Sequence, residues 1–177
     1  MSKVLLVLLG ESGTGKTTIA NELRSKHNMN VLQSYTTRPK RNDSEDGHTF
    51  ISLGEYILLK DKVAENKYSG YFYCATKEQV DESDIYVCDC EGIKMLRETY
   101  TGDKKIIVVR LTCPREERLK RMEKDKRTSQ TILLRDLYDE KAFQYADMLA
   151  DYMMDNDNLA ETVDAIYYIY KKECEED

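Results

Sequence analysis

Eight residues near the start of the chain, Gly10-Glu11-Ser12-Gly13-Thr14-Gly15-Lys16-Thr17, fit the pattern G-x-x-x-x-G-K-[ST] at every fixed position. The chemistry open to such a run is the grip of a polyphosphate. Glycines let the backbone curl close to phosphate oxygens, the N–H groups of the turn point inward, and the helix that follows presents the positive end of its dipole. Lys16 is placed to reach β- and γ-phosphates, and Thr17 to bring a hydroxyl to Mg²⁺. With Gly10, Ser12, Gly13, Thr14, Gly15 and Thr18 completing the cradle, ATP and Mg²⁺ are the expected cofactors. The apolar run from Val4 to Leu9 before the loop, and helix-like spacing over residues 16–26 after it, supply the strand and helix that the motif requires.

A phosphate loop alone names no reaction, since switches, hydrolases and kinases all use one. A second cluster narrows the field. Ser34-Tyr35-Thr36-Thr37-Arg38-Pro39-Lys40-Arg41, followed by Glu45-Asp46-Gly47 and Phe50, sets two arginines three apart around a stiffening proline. Paired guanidinium forks match the oxygens of a phosphomonoester.

The loop together with Ser-x-Thr-Thr-Arg-x-x-Arg and the downstream Asp-Gly resembles the guanylate kinases. Ser69-Gly70-Tyr71-Phe72-Tyr73 is similar to that family's Gly-Asn-Tyr-Tyr-Gly, Asp89-Cys90-Glu91-Gly92 to its Asp-x-Gln-Gly, and Asn156-Asp157 with Leu159 to its Asn-Asp-x-Leu. The resemblance implies ATP-dependent phosphorylation of a nucleoside monophosphate, GMP or dGMP, giving the diphosphate and ADP. By position it implies that Ser34, Arg38, Arg41 and Tyr73 hold the GMP phosphate. It also implies that Glu65 and Asp89 accept from guanine's N1–H and amino group, and that Asn156 joins the ATP site. Arg121 and Arg135 would be lid arginines closing on the phosphoryl group, catalytic together with Lys16 and Arg38, and Arg127 would sit in the lid tip. Three departures stand out. Phe50 takes a place the family usually gives to tyrosine, Cys74-Ala75 replaces Gly-Ser/Thr with Thr76 one place on, and the interval from Glu65 to Tyr73 is a residue short. They leave two alternatives open: a guanylate-kinase-like binding module without catalysis that holds a phosphorylated partner, and a kinase for another small phosphate acceptor.

No general base is required for such a transfer. A phosphomonoester with a second pKa of ~6 is already mostly dianionic at neutral pH, so the two histidines, His27 and His48, read as surface residues.

The elements that must position these residues follow from the alternation of apolar periods, which indicates an α/β fold around a mainly parallel sheet. Strands are predicted over 31–34, 49–52, 85–90, 105–112 and 152–155, with an antiparallel pair over 63–76 turning near Ser69-Gly70. Helices are predicted over 16–26, 54–61, 91–100 and 159–172. Residues 115–144 read as two charged helices broken near Arg127-Thr128-Ser129, with Ser129 as a cap and Pro114 at the start. The resemblance turns this order into a P-loop NTPase three-layer core over about 1–33, 84–120 and 145–177. Into that core it inserts a small mixed-β NMP-binding part over about 34–83 and a helical lid over about 121–144, all within a single domain, 1–177.

Composition bounds the partners. A net charge of -6 argues against a general nucleic-acid binder, and no apolar run approaches the ~18 residues of a membrane helix. Five cysteines without a C-x-x-C spacing point to a reducing cytoplasm, with Cys88 and Cys90 read as core filling on one side of a strand. Small nucleotides are the expected partners, with no nucleic acid or membrane, and the chain would act as a monomer or homodimer.

Overall fold

The computed structural model describes residues 3–40, 43, 45, 47–125 and 128–175. Arg41, Asp46 and Arg127 lie outside these. The chain begins with β1 (Val4–Leu9) and α1 (Lys16–His27), then β2 (Ser34–Thr36), β3 (His48–Phe50) and α2 (Leu53–Leu58). A hairpin, β4 (Lys62–Tyr68) and β5 (Tyr71–Thr76), leads into α3 (Lys77–Glu82), β6 (Ile85–Val87), α4 (Cys90–Thr99) and β7 (Lys105–Thr112). Then come α5 (Arg115–Lys124), α6 (Ser129–Ala142), a 3-10 turn at Ala146–Leu149, β8 (Tyr152–Asp155) and α7 (Leu159–Glu175).

The first sheet is parallel, in the order β6-β1-β7-β8. Its middle strand is apolar at every position because both of its faces are covered. Leu5, Val7 and Leu9 point to one cluster, against α4 and the β4–β5 hairpin. Val4, Leu6 and Leu8 point to the other, against α1 and α7. This is the three-layer order expected, and it places the loop after β1 at the carboxyl end of the strands, where α/β sheets bind ligands.

The second sheet, in the order β3-β2-β5-β4, is mixed: β2 and β3 run parallel, and the other pairs antiparallel. Its hairpin turns on Ser69 and Gly70 at φ 52° and 84°, the left-handed pair that a two-residue loop between right-twisted strands needs.

Several boundaries differ from the sequence reading. Val31 makes only a single parallel bridge to Ile85, and the strand proper starts at Ser34. The helix α3 was not expected; Thr76 and Gln79 start it with a reciprocal capping box, which takes up the Thr76 hydroxyl. Thr128, not Ser129, caps α6, its side chain accepting from the Thr131 N–H, and Pro114 stands at the cap of α5. β6 ends at Val87, so Cys88 and Cys90 do not alternate along one strand. Cys90 opens α4, and both still pack into the same apolar cluster.

Candidate active site

The loop between β1 and α1 is built for close approach. Gly13 and Gly15 sit at φ 82° and 95°, where a side chain is strained. A Cβ would come within 2.5 Å of the Arg118 carbonyl oxygen at the first and 2.4 Å of Asn156 Nδ2 at the second. Three distant elements hold the loop. Arg118 on α5 donates to the Ser12 carbonyl at 3.2 Å. Asn156, just past β8, donates to the Thr14 carbonyl at 2.8 Å. Arg110 at the end of β7 makes a bidentate pair with Glu11, at 2.6 and 2.9 Å. Burial pushes the Glu11 carboxyl up, but the Arg110 hydrogen bond and charge outweigh it, and its pKa lies below the ordinary value. Glu11 occupies a variable position of the motif, and Arg110 looks from sequence like one more strand residue, so nothing local linked them.

Lys16 folds back over the loop, donating to the carbonyls of Gly10 at 2.5 Å and Glu11 at 2.8 Å. Burial lowers its pKa to about 8, with Asp139 the strongest influence in the opposite sense. No side chain caps α1 at Gly15, so the amides of its first turn are left for an anion. Thr17 and Thr18 are exposed there. Among the described residues no group of three or more His, Cys, Asp or Glu could hold a metal by itself. A divalent ion at this loop would therefore rest on the Thr17 hydroxyl and on phosphate oxygens, which suits the few protein ligands that Mg²⁺ takes.

The loop opens into a cleft of about 930 Å³ that runs to the second sheet and is roofed by α6. At its far end Ser34, Arg38, Glu45, His48 and Tyr73 meet. Arg38 pairs with Glu45 at 2.7 Å, and its Nε is buried with no hydrogen-bond partner among the described residues. Burial works against the Arg38 charge, but Glu45 and then Tyr73 outweigh it and raise its pKa. The Ser34 hydroxyl and His48 Nδ1 share a hydrogen bond of 3.0 Å, and the His48 ring meets Tyr73 edge-on at 5.6 Å. This corrects one reading: His48 is a wall of the cleft rather than a surface residue. Phe50 lies under Arg38 and Lys40, 5.5 and 5.3 Å from its centroid. Parallel pairing of β2 with β3, which sets Ser34 opposite His48, is what brings the histidine in.

Glu65 and Asp89 line the adjoining stretch with Tyr68, Tyr71 and Tyr86. Asp89 also caps α4, its Oδ1 accepting from Gly92 N at 2.9 Å, while its Oδ2 accepts from the Asn66 side chain. Asn66, which the sequence reading missed, enters as the cross-strand partner of Tyr73. Cys74 and Ala75 are buried off the cleft, Ala75 in the apolar core, so the departure at these two positions alters packing and not the cleft wall.

The two arginines expected from the lid part company. Arg135 on α6 lines the cleft. Its Nε donates to Ser12 Oγ at 2.6 Å, and its guanidinium lies 4.2 Å from the Tyr68 ring and 5.3 Å from the Tyr138 ring. Arg121 lies beside Gly15 of the loop, where a Cβ would come within 3.7 Å of its Nη1, and is tied to Glu117 at 3.1 Å and to the Asn156 carbonyl at 3.2 Å. Asn156 sits beneath the loop as a brace.

Comparison with known proteins gives the family. The family model described as Guanylate kinase matches residues 2–173. A guanylate kinase of Anaplasma phagocytophilum is 28% identical, with 96% of this chain aligned to 87% of that protein. A guanylate kinase of Clostridium tetani is 29% identical, with 96% of this chain aligned to 86% of it. A crystal structure of the Anaplasma phagocytophilum guanylate kinase superposes with a TM-score of 0.69 over 98% of this chain and 87% of that one, at 23% identity. At that identity the likeness speaks for the fold.

Proposed function

Because the chain belongs to the guanylate kinase family, we propose that it transfers the γ-phosphoryl group of ATP to GMP or dGMP, giving ADP and the nucleoside diphosphate. The observation that carries the reading is that a phosphate loop with its lysine and a second guanidinium-lined pocket open into one cleft. Two anions held at opposite ends of one cavity can meet in line.

The residues divide the work by charge. The loop amides and Lys16 take the β- and γ-phosphates of ATP, with Gly10, Ser12, Gly13, Thr14, Gly15 and Thr18 forming the rest of the cradle and Asn156 holding its shape. When bound, Mg²⁺ would rest on Thr17 and draw negative charge from the phosphates. Ser34, Arg38 and Tyr73 take the acceptor phosphate, with His48 beside them, and Arg38 exchanges Glu45 for that phosphate when it arrives. Glu65 and Asp89 accept from the donor edge of guanine, and Asn66 holds the second of these carboxylates in place. Adenine leaves those acceptors unpaired, which costs it roughly 1–3 kcal/mol. No side chain need remove a proton; catalysis is positioning plus the cancelling of repulsion between two phosphates. In this scheme residues 34–83 form the acceptor part and 121–144 the lid over a core of the remainder, in keeping with a cytoplasmic nucleotide enzyme.

The test is ADP release over a panel of GMP, dGMP, AMP, CMP, UMP and dTMP. Turnover is expected with the guanine nucleotides, at about 10-fold or more over AMP. ATP binding without ADP release from any acceptor would favour a non-catalytic module instead. Arg38→Ala should raise the KM for the acceptor by about 10- to 100-fold, the worth of a lost charged hydrogen-bond pair, and leave the KM for ATP close to that of the parent. A rise in the ATP KM of equal size would remove Arg38 from the acceptor site.

A further inference from the structure

On α6 a carboxylate sits where the phosphate loop takes its anion. Asp139 is 0% exposed, and its Oδ2 accepts a hydrogen bond from the Ser12 backbone N–H at 2.6 Å. Its Oδ1 is buried with no hydrogen-bond partner among the described residues, 3.3 Å from Arg135 Nε. Inward amides of a phosphate loop are donors for phosphate oxygens, and Asp139 engages one of them with an anionic oxygen of its own. A phosphate and this carboxylate cannot both take the Ser12 N–H, and as like charges they repel within one enclosed space.

We propose that Asp139 is a resident anion that competes with the donor nucleotide for the loop, so that ATP binds by expelling it and ADP leaves as it returns. The proposal rests on the reading of Gly10 to Thr17 as the ATP site.

Two neighbours make the exchange balanced. The Lys16 ammonium donates to the carbonyls of Gly10 and Glu11 and to the Thr14 hydroxyl, and Asp139 supplies the strongest support for its charge. A nucleotide phosphate brings that support itself, so the carboxylate can give way to it. Arg135, one helical turn before Asp139, faces the same spot through Ser12 Oγ. Expulsion of the carboxylate frees this guanidinium from its i,i+4 partner just when a phosphoryl group appears for it to hold. One helix thus carries both the group that yields to ATP and the group that then acts on it.

Asp139→Asn separates charge from shape, because the carboxamide oxygen can still accept from Ser12. Titration of β,γ-methylene-ATP with Mg²⁺ at pH 7 should show the variant binding about tenfold tighter than the parent, the share of a charged over a neutral acceptor, and releasing ADP more slowly in stopped flow. A merely structural role would not produce a gain in affinity. Equal or weaker binding by the variant, with the parent binding normally, overturns the proposal. Failure of the parent itself to bind would instead bring down the donor-site reading and the proposal with it. A readout free of any substitution is amide hydrogen exchange in the unliganded parent: the Ser12 N–H should exchange slowly, and fast exchange there rules the contact out.

Discussion

Replacing Lys16 with alanine should lower the rate of ADP formation from ATP and GMP by about 10³-fold, the scale on which one preorganised charge at a transferring group acts. Among the described residues Lys16 is the one cation that donates to the carbonyls of Gly10 and Glu11 at the start of the loop; Arg118 reaches the Ser12 carbonyl, Arg135 the Ser12 hydroxyl and Arg110 the Glu11 side chain. The loss should fall on catalysis more than on folding. Arg118, Asn156 and the Arg110–Glu11 pair still brace the loop from outside, so the melting temperature is expected to stay near that of the parent. A coupled ADP assay at pH 7, with a thermal melt as control, measures both. A rate within tenfold of the parent would mean that the loop does not carry the reaction.

Arg135→Ala should cost about as much, on the order of 10³-fold in kcat, with the KM for ATP moving far less. The guanidinium already stands in the cleft, against the Tyr68 and Tyr138 rings, which themselves meet edge-on at 4.8 Å. That cluster ties β4 to α6, so the arginine proposed to meet the phosphoryl group is held by both elements. Arg135→Lys should recover little, because an ammonium keeps the charge but lacks the planar fork. Arg121→Ala is the natural comparison. Its side chain is spent on Glu117 and the Asn156 carbonyl, and a smaller loss is expected. If Arg121→Ala cost more than Arg135→Ala, the two assignments would have to be exchanged.

Much of the architecture was legible because it is local. The phosphate loop needs glycine where φ is positive, and two of its glycines stand at 82° and 95°. β1 reads as fully buried because all six of its residues are apolar, and the structure covers both of its faces. β7 and β8 have the expected bounds, and the Ser69-Gly70 turn falls where two alternating runs meet. Shorter elements were harder to read. The six residues of α3 declare themselves mainly through a capping box, and β6 has three residues before α4 takes over.

By itself the sequence determined what this chain can grip: an unbroken loop motif, a pair of arginines around a proline, and the periodicity that sets them on a strand, a loop and a helix. Only the tertiary structure decided which distant groups share that grip. It set Asp139 on the Ser12 amide across 127 positions and Arg110 on Glu11 across 99, and it brought His48 and Asn66 into the cleft through strand pairing. The reason is physical. Backbone preference and apolar period act between residues a few places apart, whereas a hydrogen bond or a charge pair depends on distance in space, which exists only once the sheets, the loop and α6 have packed.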